Sequence, residues 1–135
     1  MVIKRLLKIK LPPGQSAFLW GPRKTGKSTY LQSAFPDSPV FDFLQTDLFF
    51  EFSKNPARLR ETLLAAKNDD PSFPIILDEV QKIPALLDEV HWLIENKKMS
   101  FILCGSSARK LRKGHGNLLG GRAGVFKCFL WSALS

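Results

Sequence analysis

The octapeptide from Gly21 to Ser28, GPRKTGKS, stands directly behind the apolar run Ala17, Phe18, Leu19, Trp20. No other stretch constrains the fold as strongly, because it fits GxxxxGK[ST] at every fixed position and sits in the context such a loop requires. A loop that wraps a phosphate needs a buried strand feeding a glycine turn, then a helix whose positive N-terminal end faces the same anion. Gly21 and Gly26 admit backbone conformations and close approaches that a Cβ blocks. Lys27 reaches the β- and γ-phosphates of a nucleoside triphosphate and the Ser28 hydroxyl is suited to Mg²⁺, while Pro22, Arg23, Lys24, Thr25 and Thr29 complete the loop and its first helical turn. The competing reading is a chance glycine turn.

A second motif decides between them. Pro74, Ile75, Ile76 and Leu77 form a short continuous apolar run, as in a strand buried on both faces of a parallel sheet, and the run ends on Asp78 and Glu79. An acid at the end of a strand beside a phosphate loop accepts from the Mg²⁺ shell, which assigns Asp78 as a metal residue. A second acid just beyond it orients and deprotonates an attacking water, which assigns Glu79 as the catalytic base. Alone, the two acids fit a solvated strand-to-helix turn equally well. Together with the loop they favour a triphosphate site.

Short apolar strands alternate with amphipathic helices, which implies an α/β layer structure around a mainly parallel sheet. Strands are expected at Ser16 to Trp20, near Val40 to Leu44, at Pro74 to Asp78 and at Ser100 to Cys104, with Val125 to Trp131 as a fifth. Helices are expected from Lys27 to about Ala34, from about Asp47 with a restart at Asn55 and Pro56, and from Pro84 through the stripe Leu86, Leu87, Val90, Leu93 and Ile94. His91 lies off that stripe with no ligand at metal spacing, so it reads as exposed or hydrogen-bonded. Trp92 reads as a packing residue at the stripe's margin, and His115 as a loop residue.

At 135 residues, with 44% hydrophobic and 24% charged side chains, the chain has the size and composition of one globular domain. Two cysteines are too few for a disulfide framework, and Cys104 inside Phe101, Ile102, Leu103 reads as a small core residue. No apolar run approaches a membrane span, and lysines interrupt the N-terminal MVIKRLLKIKL where a signal peptide needs an unbroken core. The expected location is cytoplasmic, with no membrane partner.

The net charge of +8 is concentrated at one end. Up to Glu95 the basic and acidic side chains cancel, and Lys97, Lys98, Arg109, Lys110, Arg112, Lys113, Arg122 and Lys127 follow with no acid between them. Such a patch suits a nucleic-acid backbone, the triphosphate itself, or a further segment of chain. The absence of aromatic interleaving and of a DNA-reading motif leaves nucleic acid as the least supported of the three.

Strand four runs into Gly105, Ser106 and Ser107. If it lies between the first and third strands, it aims a small hydroxyl at the γ-phosphate or the attacking water; otherwise the tripeptide is an ordinary turn capping a helix.

The series GPRKTGKSTYL, DFLQTDLFFEFSKNPARLRE, IILDEVQKIPALLDEVHWLIE, FILCGSSARKL and NLLGGRA resembles the prokaryotic AAA-type predicted ATPases of the P-loop superfamily, from about Ile3 to Ala123. The resemblance implies a three-layer P-loop NTPase sandwich with a five-stranded sheet in the order 5-1-4-3-2. It implies ATP and Mg²⁺ as ligands and puts Ser106 and Ser107 at the position that senses the γ-phosphate. Arg122 matches an arginine that acts either as a finger toward a neighbouring protomer in a homo-oligomer or as a brace within the domain, and Arg109 is a weaker candidate. Members of that family continue into a lid and a C-terminal domain often described as nuclease-like, so residues 1–135 are expected to be a single ATPase domain lacking both. The alternative to an active ATPase is a nucleotide-binding fragment impaired in hydrolysis that acts only through a partner. A small-molecule kinase is disfavoured by the tandem acids, and the absence of NKxD favours ATP over GTP.

Overall fold

Alternate residues of each apolar strand leave for opposite faces of the sheet, and this divides the core in two. The computed structural model describes residues 16–21, 26–66, 74–106 and 126–130. In chain order they form β1 (Ser16–Trp20), α1 (Lys27–Ala34), β2 (Val40–Asp42), α2 (Thr46–Lys54), α3 (Ala57–Ala66), β3 (Ile75–Asp78), a 3₁₀ turn (Val80–Lys82), α4 (Leu86–Lys97), β4 (Phe101–Gly105) and β5 (Phe126–Leu130). The strands lie in the order β2-β3-β4-β1-β5. Every pairing is parallel. This is the order 5-1-4-3-2 that the resemblance implied.

Phe18, Ile75, Leu77, Phe101 and Leu103 face one side, where Phe52 of α2, Leu59 and Leu63 of α3, and Leu86, Val90 and Leu93 of α4 close over them. Leu19, Ile76, Ile102 and Cys104 face the other side, covered by Leu31 of α1. The result is three layers, helix on sheet on helix. Phe101 is fully buried in the larger cluster. Phe101→Ala is therefore expected to cost about 3–5 kcal/mol, read as a lower denaturant midpoint at unchanged m-value.

Several boundaries differ from expectation for identifiable reasons. β2 ends at Asp42, not Leu44, because the Asp42 carboxylate accepts the Leu44 N–H (3.0 Å) and its carbonyl accepts the Gln45 N–H (3.0 Å), turning the chain toward α2. β4 is shifted by one residue and includes Gly105. α4 opens at Leu86, two residues after Pro84, because the 3₁₀ turn comes first. Its far end is closed by Lys98 in the left-handed region (φ 56°), with its N–H on the Ile94 carbonyl at 3.2 Å.

Trp92 is not a packing residue at the edge of the stripe. It is exposed, and its ring lies under the Arg60 guanidinium (5.4 Å to the centroid), which also pairs with Glu89 at 2.8 Å and so clasps α3 to α4. His91 is hydrogen-bonded, its Nε2 standing 2.9 Å from the Glu95 carboxylate one turn on. Among the described residues no helix is long and apolar enough to cross a membrane.

Candidate active site

Three adjacent parallel strands, β1, β4 and β3, end at one edge of the sheet. Trp20 is level with Gly105, and Cys104 with Asp78. In an open parallel sheet this carboxyl edge is where ligands bind. The Gly21 N–H donates to the Gly105 carbonyl (3.0 Å), tying the end of β1 to the end of β4. Lys27 is buried, and its ammonium donates to the same Gly105 carbonyl (3.3 Å) and to that of Gly21 (3.1 Å). Gly26 enters α1 in the left-handed conformation (φ 86°, ψ 3°), which a side chain disfavours. No side chain caps the first turn of α1, so its amides keep the anion-directed character of a helix N-terminus.

At the end of β3 the chain turns sharply. Glu79 adopts φ 58° and ψ 42°, a left-handed conformation that costs a non-glycine residue roughly 1–2 kcal/mol. Side-chain contacts hold it there. The Gln81 amide Nε2 donates to Glu79 Oε1 at 2.8 Å, and the Ser106 hydroxyl donates to the same oxygen at 3.1 Å. Gln81 Nε2 also lies 3.3 Å from Ser106 Oγ, which closes a triangle between the turn after β3 and the end of β4. Glu79 and Gln81 are both buried. Gly105 makes room for them: a Cβ there would stand 2.6 Å from Gln81 Oε1 and 2.7 Å from Trp20 Cζ3.

This arrangement can be set beside known proteins. The sequence profile of a family described as the AAA domain matches residues 14–133. The chain belongs to the AAA domain family. Among solved structures, the DnaC helicase loader superposes with a TM-score of 0.57 at 14% identity, over 97% of this chain and 86% of that one. C. elegans PCH-2 gives a TM-score of 0.49 at 18% identity, over 93% of this chain and 35% of that one. The first likeness is one of fold. No curated protein matches the sequence.

Membership of the family gives this AAA domain a nucleotide-binding function of the ATPase type. Of the residues singled out in the sequence, the fold gathers Gly21, Gly26, Lys27, Asp78, Glu79 and Ser106 at the single sheet edge. Ser28 and Thr29 are the second and third residues of α1, with Thr29 exposed. Pro22, Arg23, Lys24, Thr25, Ser107, Arg109, His115 and Arg122 lie outside the described residues. One residue at this edge was missed in the sequence: Gln81 was given no role there, and no pattern marks it, whereas Gly105 was noted with Ser106 and Ser107 at the end of the fourth strand.

Cys104 lies beneath this edge, fully buried. Burial pushes its thiol well above the ordinary range and the Asp78 carboxylate adds to the rise, with Lys27 partly opposing and Glu79 contributing further. The thiol stays protonated and serves as core, not as a nucleophile.

Proposed function

We propose that this AAA domain binds ATP with Mg²⁺ and hydrolyses the terminal phosphate. The observation that carries the proposal is the convergence at one sheet edge of a buried cation, Lys27 at the start of α1, and a buried carboxylate, Glu79 just after β3, on either side of the end of β4 and joined to it through Gly105 and Ser106. The Lys27 ammonium rests on neutral carbonyl oxygens, and phosphate oxygens are stronger acceptors for it, so the cation is poised to transfer to the β- and γ-phosphates. The amides at the start of α1 face the same anion.

Asp78 and Ser28 suit Mg²⁺, a hard cation that takes one or two protein oxygens together with phosphate oxygens and water. Asp78 ends β3 at this edge, in register with Cys104 and one residue before Glu79. When bound, Mg²⁺ neutralises charge across the β- and γ-phosphate oxygens. Glu79 takes a proton from water as the water oxygen bonds to the γ-phosphorus, the bond from that phosphorus to the β–γ bridging oxygen breaks, and the electron pair leaves on ADP. Ser106 orients the carboxylate or the water. Arg122 either supplies positive charge to the site of a neighbouring copy or braces its own domain.

Calorimetric titration of ATP with and without Mg²⁺, alongside ADP release, tests the proposal. Asp78→Asn is expected to reduce the Mg²⁺-dependent gain in ATP affinity about tenfold, the scale of one lost charged contact. An unaltered Mg²⁺ dependence would remove Asp78 from the metal site, and ATP binding without ADP release would favour the reading of a nucleotide-binding fragment impaired in hydrolysis.

A further inference from the structure

We infer that Gln81 is a positioning residue for the hydrolytic carboxylate: its side-chain amide, seated against Gly105, fixes Glu79 in the orientation that receives the water proton. The inference rests on the proposed role of Glu79. A carboxylate that must accept a proton from a water in line with the γ-phosphorus has to be held to a fraction of an ångström, and a side chain with two free torsions beyond Cβ is not held by its backbone alone. Glu79 begins with a further disadvantage, since its left-handed backbone lies outside any helix or strand that would lock its direction.

Gln81 answers both needs. It belongs to the 3₁₀ turn immediately after Glu79, which is tied down by the Lys82 N–H on the Glu79 carbonyl (3.1 Å) and the Ile83 N–H on the Val80 carbonyl (3.0 Å). Its amide donates at 2.8 Å to Glu79 Oε1, the shortest side-chain contact in the triangle. The other half of the amide shows what this placement costs. Among the described residues the buried Gln81 Oε1 has no hydrogen-bond partner, and burying an amide oxygen in that way is unfavourable. An apolar side chain of the same size would fill the space without the penalty. A buried amide that satisfies only its donor side, and directs that donor at a carboxylate and at the hydroxyl that shares it, is placed for the carboxylate.

The register of β4 supports the same assignment. Gly105 precedes Ser106, and the lack of a Cβ there admits both Gln81 Oε1 and the Trp20 ring, so one glycine lets the turn after β3 approach β4 closely enough for the amide and hydroxyl to meet on a single oxygen.

The test is a double-substitution cycle on the full chain, with single-turnover hydrolysis, ATP affinity and melting temperature measured for each protein. Gln81→Met keeps the side-chain volume and removes the donor; it is expected to slow hydrolysis ~10- to 100-fold, the range for losing a partner that orients a reacting group, with ATP affinity within about twofold of the parent. In a Glu79→Gln background the same Gln81→Met change is expected to slow hydrolysis no further, because its effect passes through the carboxylate. Gln81→Leu, shorter and equally donorless, repeats the measurement and is expected to agree. An undiminished rate in Gln81→Met, or an equal further loss in the Glu79→Gln background, would overturn the inference. So would loss of nucleotide binding together with the melting transition in both Gln81 variants, which would make the residue a structural prop. Hydrolysis unaffected by Glu79→Gln alone would instead overturn the underlying role of Glu79.

Discussion

Glu79→Gln is expected to lower ATP hydrolysis roughly a hundredfold or more while ATP·Mg²⁺ affinity stays within about twofold. The substitution changes little except proton-accepting power. Glu79 Oε1 already accepts from Gln81 and Ser106, and an amide oxygen in the same place accepts from the same two donors, so the triangle and the turn survive. The substitution replaces a buried carboxylate with a neutral group of the same shape. Steady-state ADP production and a parallel ATP titration check the result, and a variant that hydrolyses at the parental rate would show that another group handles the proton.

Lys27→Ala is expected to weaken ATP binding ~10- to 100-fold, the equivalent of one or two hydrogen bonds between charged groups, and to weaken ADP binding less because the γ-phosphate contact exists only with ATP. The fold is expected to tolerate the loss. The Gly21 N–H still ties β1 to the Gly105 carbonyl at 3.0 Å after the ammonium has gone, so the melting temperature should move little while affinity falls. ATP affinity equal to the parent's would mean that the loop does not hold the phosphates.

β1, β3 and β4 were legible because each carries a continuous buried apolar run, which leaves few polar positions to confuse the reading. Their order was not legible in the same way. Nothing in Phe101 to Gly105 states that β4 lies between β1 and β3, and that neighbour relation came from the resemblance of five motifs to a known family. The candidate site was legible where chemistry demands particular residue types, and the fold brings Gly26, Lys27 and Asp78 to one sheet edge. It was illegible where geometry acts alone: Glu79 takes a left-handed conformation without the glycine that usually announces one, so the 3₁₀ turn behind it and the role of Gln81 had no marker. Trp92 was read as packing at the stripe's margin because a large apolar ring beside an apolar stripe looks like part of it until a guanidinium is found over it.

The pairing of β1 also has a consequence for the birth of the molecule. Ala17 is matched to Ile102, and Ser16 to Phe126. A ribosome therefore delivers this strand before β2 and β3, and its two neighbours after them. At ordinary elongation rates roughly 4–17 s separate Ala17 from its partner on β4, and for that time four apolar residues have no strand to join. Closing so long a loop before any contact repays it slows folding. The sheet that carries the site therefore assembles only after β4 and β5 have been made, however early β1 is delivered.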